Sequence, residues 1–288
     1  GSTQQNQYSV AIGNYAGNIN QESHSVAIGD QAGENYQNKD SIAIGNKAGC
    51  NQQGKLIQGM SGNSIAVGNQ AGSTNQDPNT IAIGYNAGNE DQQIYCIAIG
   101  KDAGKTSQKN AAISIGNTAG TINQGSQSVA IGENAGNVSQ GNQSVAIGNM
   151  AGETDQGNYS VAIGEHAGKT DQGDKSIALG FQAGLTSQGD NSIALGNMCG
   201  GNQGNQCIAI GLQAGYTGQK DNSIAIGGDT AVIGIQGCDS IAIGSGTGYY
   251  EQGDYSIAMG YNAGHNQQNQ NSVAIGYQAV QMTKINLV

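Results

Sequence analysis

The sequence contains no tryptophan, one phenylalanine and one proline, whereas glycine occupies 49 of its 288 positions. Hydrophobic residues make up only 36% of the chain. So few large apolar side chains do not supply an ordinary globular core. A disordered chain shares this composition, but it does not place aliphatic residues at the same two offsets along its whole length.

Charge is also scarce, and most of it is acidic. Ten Lys and Arg face 20 Asp and Glu, for a net charge of −10. This balance argues against nucleic-acid and anionic-membrane partners, which require a basic stripe. No apolar run approaches the ~20 residues of a transmembrane helix, so no membrane insertion of this segment is expected. Residues 1–8 are interpreted as a lead-in without a signal peptide, with residues 1–2 typical of a cloning scar.

What the sequence does contain is the pentad Ser-(Ile/Val)-Ala-(Ile/Val)-Gly, which recurs seventeen times when close variants are included. The copies begin at residues 9, 25, 41, 64, 80, 96, 112, 128, 144, 160, 176, 192, 207, 223, 240, 256 and 272. The step is sixteen residues except for one step of 23, one of 15 and one of 17. A fixed period over a whole chain is typical of a solenoid.

The consensus repeat is S-I-A-I-G-x-x-A-G-x-T-x-Q-G-x-x. Its aliphatic residues alternate with Ala, which predicts a β-strand, and we expect the Val and Ile side chains to fill the coil. The Gly that ends each pentad predicts a corner with positive φ or close backbone approach. The sequence therefore predicts an all-β, parallel β-solenoid of about seventeen coils over residues 9–280, roughly 80 Å long at about 4.8 Å per coil.

Two segments depart from the repeat. Residues 50–63 carry seven extra residues and are predicted to form an inserted loop. Residues 281–288 abandon the pattern. We expect this tail to cap the open end of the solenoid or to begin a following segment.

One polar side chain recurs four positions before the pentad. Parallel coils stack about 4.8 Å apart, so amides at one offset can each donate a hydrogen bond to the next. If Gln were only a soluble filler, this offset would accept many polar residues, as the neighbouring variable positions do. In this interpretation Met60 alone breaks the column. The predicted structural ladder consists of Gln21, Gln37, Gln76, Gln92, Gln108, Gln124, Gln140, Gln156, Gln172, Gln188, Gln203, Gln219, Gln236, Gln252 and Gln268.

The small residues of the pentad predict association between chains. If Val and Ile fill the coil, the opposite face presents Ser and Ala columns that never carry a charge. If Ala lies inside instead, the Val and Ile columns face outward, and covering this apolar surface with a partner is favoured even more strongly. Either parity leaves an uncharged strip of roughly 1,000 Å², which is enough for a specific interface. The predicted oligomer interface is Ala11, Ala27, Ala43, Ala66, Ala82, Ala98, Ala130, Ala146, Ala162, Ala178, Ala194, Ala209, Ala225, Ala242, Ala258 and Ala274.

The pentads NSVAIG at 271–276, QSVAIG at 143–148 and YSVAIG at 159–164 resemble the head repeats of trimeric autotransporter adhesins. This resemblance implies a left-handed parallel β-roll, a homotrimer and an adhesive head exposed at a cell surface. It implies an extracellular ligand on a host cell, a matrix or a glycan. The AG…QG half is similar instead to repeats of fibre-like proteins of phages, large viruses and some bacteria, which implies a virion fibre as the other location.

The candidate motifs for catalysis and metal binding each lack a required residue or spacing. The two AGKT stretches lack the earlier Gly of a phosphate loop, because Ile99 and Ile163 stand there. His24, His166 and His265 have no second ligand at a zinc-like spacing. The acidic residues do not follow the calcium-binding repeat pattern. We therefore predict no catalytic, cofactor or metal site, and no enzyme.

The five cysteines occupy unrelated offsets in the repeat, whereas a stapling disulfide needs matching offsets in adjacent coils. Free thiols are therefore predicted at Cys50, Cys96, Cys199, Cys207 and Cys238.

The leading functional hypothesis is a non-enzymatic structural and adhesive fibre module that mediates attachment. The alternative is an ice-binding solenoid that uses a flat row of small residues, although the sequence lacks a regular Thr-x-Thr array. A calcium-dependent segment of a secreted enzyme is a third class. It would lose its β-structure in EDTA, and we expect no such loss.

Overall fold

The computed structural model describes residues 5–55, 57, 59, 60 and 62–279. Within them lie 24 strands of three residues each and no helix. Seventeen of these strands, here called pentad strands, are the middle residues of the pentads. Their bounds are Val10–Ile12, Val26–Ile28, Ile42–Ile44, Ile65–Val67, Ile81–Ile83, Ile97–Ile99, Ile113–Ile115, Val129–Ile131, Val145–Ile147, Val161–Ile163, Ile177–Leu179, Ile193–Leu195, Ile208–Ile210, Ile224–Ile226, Ile241–Ile243, Ile257–Met259 and Val273–Ile275.

Among the described residues, the second half of the repeat forms a strand in only seven coils, and these strands are here called side strands. They lie at Asn51–Gln53, Thr74–Gln76, Glu90–Gln92, Val138–Gln140, Thr154–Gln156, Thr170–Gln172 and Thr186–Gln188. In several other coils the same offset keeps only a single parallel bridge, such as Gln219 with Gln236.

The chain divides into two units, Gly1–Ala146 and Ile147–Val288. In the first unit eight pentad strands pair in parallel in chain order, with Val10 opposite Val26 and Ile113 opposite Val129. In the second unit eight more pair in the same way, with Val161 opposite Ile177. The predicted class is confirmed: an all-β parallel solenoid of about sixteen turns at a spacing of about sixteen residues. The cap predicted over residues 281–288 and the scar predicted at residues 1–2 lie outside the described residues.

The orientation of the pentad is the reverse of the one expected. Ala27, Ala43 and the equivalent alanines of later coils have no exposed surface, and the Ser that opens each pentad is buried in all but the first coil. Val and Ile at the first and third strand positions lie on the outer side, half-buried or exposed. The expectation that Val and Ile fill the coil is therefore wrong.

At the position of the pentad Ala, the interior is too narrow for a branched side chain. At Gly104, on the wall opposite the pentad strand, an added Cβ would lie 3.3 Å from the Cβ of Ala98 and 2.7 Å from the Gln108 Oε1. A single methyl group added to the opposite wall would therefore already be crowded against Ala98 and Gln108. The strand therefore places its Ala inside. Because successive side chains of a strand point to opposite sides, its Ile side chains lie outside.

The Gly that ends each pentad has both of the properties predicted for it. Gly84 adopts a φ of 134°, and a Cβ at this position would lie 2.4 Å from the carbonyl oxygen of Gly100 in the next coil. Any other residue would clash with the backbone there and adopt a strained conformation. The corner thus sets how closely consecutive coils stack.

The Gln side chains that recur at one offset of the repeat lie inside the coil. Gln92 is typical: its Nε2 donates to the carbonyl oxygen of Ile81 at 3.0 Å and to Oε1 of Gln108 in the next coil at 3.1 Å. One amide therefore spans the interior and also joins two coils. Ten such pairs, 2.8 to 3.3 Å long, run from Gln21 to Gln140 in the first unit and from Gln156 to Gln236 in the second, with gaps.

Several irregularities interrupt this column. The buried Oε1 atoms of four ladder residues have no hydrogen-bond partner among the described residues, so no amide of the preceding coil donates to Gln21, Gln76, Gln252 or Gln268. Ser114 stands where other coils have Ala, and its hydroxyl donates to Gln124 Oε1 while accepting from Gln108 Nε2. The serine thus replaces one direct amide pair.

Sequence reasoning placed the third coil's amide incorrectly. Gln53, not Met60, occupies the ladder position: it is fully buried, accepts from Gln37 Nε2 at 3.1 Å and lies in register with Gln76. Counting sixteen residues forward from Gln37 would have found it. The column is therefore continuous in residue type, and Met60 lies in the loop, bridged to Ile57.

The inserted loop is shorter than predicted over residues 50–63. Cys50 is buried and Asn51–Gln53 is a side strand, so the repeat continues to Gly54. The N–H of Gly62 donates to the carbonyl oxygen of Gly54 at 2.9 Å, which closes the excursion. The seven extra residues are thus 55–61.

The glycine corner generates a stability prediction. Gly211→Ala places a methyl group 2.3 Å from the Gly227 carbonyl oxygen and should lower the free energy of unfolding by about 3 kcal/mol. Gly228→Ala is the control, because no atom lies within 4 Å of its added Cβ, and a change within about 0.5 kcal/mol is expected. Urea titration followed by circular dichroism measures both. Equal losses would refute the close-approach argument.

The ladder generates a second prediction. Gln172 accepts from Gln156 and donates to Val161 O at 3.0 Å and Gln188 Oε1 at 3.2 Å. Gln172→Ala should therefore destabilise the chain by about 2 kcal/mol, because buried partners lose their bonds. Asn197→Ala removes an exposed amide of the same unit and should cost less than about 0.5 kcal/mol. The idea fails if the two substitutions shift the urea midpoint equally.

Candidate functional site

The outer side of the pentad strands is a chemically uniform surface in both units. The first and third residues of each strand are Val, Ile, Leu or Met in all seventeen copies. We call these 34 side chains the aliphatic face. Pairing in register aligns them in two columns, so that Ile81, Ile97 and Ile113 follow one another directly.

The aliphatic face is accessible in the single chain. Ile83 in the first unit is 38% exposed and Leu179 in the second is 44% exposed. Three-residue strands about 4.8 Å apart give each unit's eight strands a strip about 10 Å wide and about 38 Å long, or roughly 400 Å². The largest apolar patch on a typical monomer is of this size and is often functional.

Aromatic side chains line the borders of this face. One set follows the corner Gly, and the other precedes the pentad Ser. The exposed members of the first set are Tyr85, Phe181, Tyr261 and Tyr277, and those of the second are Tyr8, Tyr95, Tyr159 and Tyr255. Tyr261 and Tyr277 stack with ring centroids 5.5 Å apart. Amphipathic rings at the edge of an apolar strip are suited to the rim of an interface.

The alanines predicted as the oligomer interface do not reach this surface. Those from Ala27 to Ala258 have no exposed area, Ala274 has 1%, and Ala11 in the first coil is partly buried. The structure brings them together in a column, but inside the coil. The predicted Ala interface is therefore wrong. The sequence also allowed the alternative in which Ala lies inside and Val and Ile lie outside, and this is the arrangement observed.

The same parity removes the surface that the ice-binding alternative requires. A flat outer row of small residues was to bind ice, yet the Ala and Ser columns are buried. The rows that do face outward are Val and Ile on one side and polar, variable residues on the other.

The five cysteines are free thiols, as predicted. Cys96 and Cys207 replace the opening Ser of their pentads, and Cys199 replaces the second Ala of its coil, so all three point inward. Burial raises the pKa of Cys96 and of Cys199 to about 12. Both remain protonated at neutral pH and are therefore poor nucleophiles.

Other chemistry is sparse in the part of the chain that the structure describes. Those residues include no group of three or more His, Cys, Asp or Glu that could hold a metal ion. Nor do they form any helix with the length and apolar character needed to cross a membrane. The aliphatic face is thus the main candidate for function.

Comparison with known protein families agrees with this geometry. The model of the YadA head domain repeat matches residues 62–87, 124–151, 172–197, 252–263 and 268–280, just over a third of the chain. Each matched stretch contains one or two complete pentads. No curated protein matches the chain. The resemblance drawn from the pentads is confirmed: the chain carries repeats similar to those of the YadA head domain.

Proposed function

We propose that this chain is a non-enzymatic adhesive module in which copies associate through the aliphatic face. The observation that carries the proposal is the outward position of 34 half-buried or exposed aliphatic side chains, which form uncharged columns in each unit. Water-exposed Val and Ile destabilise a lone chain by roughly 25 cal/mol per Å² of apolar surface left in water. A second copy is the occupant that best fits, because parallel chains can match the same repeat along the whole face.

The area supports self-association. Each unit offers a strip of roughly 400 Å² for association, about half of the area that each partner buries in a standard specific interface. Neither column carries a charge that would have to be desolvated on docking. Close contact between two such faces therefore has little electrostatic cost.

Three copies is the number we propose, and the reason is the similarity to YadA head repeats. Those repeats belong to trimeric adhesins of the bacterial surface. A homotrimer would cover all three aliphatic faces around one axis and leave the side strands facing outward. The corresponding location is a cell surface, the extracellular space or a virion fibre, with attachment to a host cell, matrix or glycan as the role.

Light scattering tests the association. The full chain should have three times the mass of one chain, and Ile83→Glu, Ile99→Glu and Ile115→Glu together should reduce that mass, because three carboxylates would be buried unpaired. The control carries Asn75→Asp, Ser107→Asp and Asn123→Asp, at an offset where Asp91 already occurs. It adds the same charge on the opposite side and should leave the mass unchanged.

A folded monomer at high micromolar concentration would contradict the association. Equal effects of the two triple variants would show that charge in general, and not the aliphatic face, controls the mass. Circular dichroism of both variants checks that the β-structure is intact.

Adhesion needs its own measurement. Beads coated with the full chain should adhere to surfaces of epithelial cells or immobilised matrix above the level of beads coated with albumin. Beads that adhere no better than the albumin control would remove the adhesive role while leaving the assembly intact.

A further inference from the structure

The coil that starts at Ser223 is one residue longer than the repeat. Ile233 N–H donates to Tyr249 O at 2.9 Å, and Gln236 bridges Gln252, so Gly234 and Ile235 together stand opposite Glu251 alone. This is a bulge. A Cβ on Gly234 would overlap the carbonyl oxygen of Tyr250, so only glycine fits at this point.

The bulge opens a groove of about 550 Å³ across three consecutive coils. Its lining consists of Ile233, Gly234, Tyr250, Glu251, Asn266 and Gln267. The Ile233 and Tyr250 side chains are about half exposed, at 54% and 45%. The groove thus combines an apolar wall, an accessible phenol ring and a carboxylate with two amides.

The ring of Tyr250 is held in place by its neighbours. It packs edge-on against Tyr249 and His265, with centroid separations of 5.2 and 5.5 Å. Those two rings stack on each other at 5.0 Å, and His265 Nδ1 lies 2.9 Å from the carbonyl oxygen of Gly246. A ligand that stacks on Tyr250 therefore meets a preorganised surface.

The polar side of the groove is also organised. Gln267 Nε2 donates to Glu251 Oε2 at 3.0 Å, which orients the carboxylate beside the ring. Asn266 adds a further exposed amide. The lining contains no Lys or Arg, so the only charge facing a ligand is negative. Anionic ligands are therefore disfavoured.

From this geometry we propose that the groove binds a neutral saccharide. A sugar ring has an apolar C–H face that stacks on an aromatic ring and hydroxyl groups that pair with carboxylates and amides. The groove supplies both, and it is long enough to span three coils. This inference rests on the proposed adhesive function and names the chemical class of its ligand.

The groove remains accessible if copies associate through the aliphatic face. Gln252, which follows Glu251, reaches through the interior to donate to Ile241 O at 2.8 Å. Tyr250 and Glu251 therefore lie across the coil from the aliphatic side chains of the Ile241 strand. Saccharide binding and self-association can thus be measured independently.

The test is a glycan array probed with the full chain. The array carries neutral oligosaccharides of galactose, glucose and N-acetylglucosamine together with their sialylated counterparts. We expect binding to neutral members, and Tyr250→Ala should weaken it about tenfold through loss of the stacking surface. Glu251→Gln, which keeps the shape of the side chain, should weaken it in the same direction. Tyr36→Ala is the control, since this tyrosine of another coil is 52% exposed and does not line the groove.

A variant in which one aspartate replaces Gly234 and Ile235 restores the sixteen-residue spacing. It should keep the β-structure and the mass of the unmodified chain while losing saccharide binding. If it binds as the unmodified chain does, the bulge is not the site.

Several outcomes would overturn the proposal. These are no binding to neutral glycans, binding only to sialylated ones, or equal binding by Tyr250→Ala and the unmodified chain. Tetramethylammonium is the competing probe, because a ring beside a carboxylate can also hold a cation; its binding in place of saccharides would assign the groove to amines. A monomeric chain that still binds neutral glycans would refute the assembly and leave this site standing.

Discussion

The narrowness of the coil controls the rest of the structure. Glycine corners such as Gly84 let consecutive backbones approach so closely that no Cβ fits between them. The walls of each coil are correspondingly close, and the interior holds mainly Ala, Ser and an extended Gln side chain, with a buried Cys or Thr in a few coils. At the position of the pentad Ala, a branched side chain is excluded by volume rather than by polarity. The outward position of the pentad Val and Ile follows from that exclusion.

The distribution of polarity is therefore the reverse of that in a globular domain. Buried Gln amides take hydrogen bonds that would otherwise go to water, and they join neighbouring coils through pairs such as Gln92 and Gln108. The Val and Ile side chains that would normally form a core remain outside. The stability of one chain thus depends on backbone and amide hydrogen bonds and on the buried methyl groups of alanine. The Val and Ile side chains would add a larger hydrophobic contribution when a partner covers them, which links stability to the proposed assembly.

Departures from the repeat are local because each coil contacts only its neighbours. The sequence has seven extra residues between Gly54 and Gly62, which are joined by a hydrogen bond, and Gln53 keeps its place in the ladder. One extra residue at Gly234 opens a groove without disturbing the pentad strands on either side. Such a scaffold can acquire a binding site through a single inserted residue. The regular coils form the scaffold, and the coil with the extra residue carries the groove proposed to bind a saccharide.

The sequence by itself determined the period, the strands, the glycine corners and the column of Gln, because each depends on local geometry that recurs at one offset. It did not determine which face of the pentad is inside. An alternation of two residue types is the same pattern for either parity, and the choice depends on an interior width that only the folded coil defines. The position of Gln53 follows from the sixteen-residue period counted from Gln37, which the choice of Met60 overlooked. The groove beside Tyr250 was hidden, because it depends on where the extra residue leaves the coil, and contacts between neighbouring coils decide that.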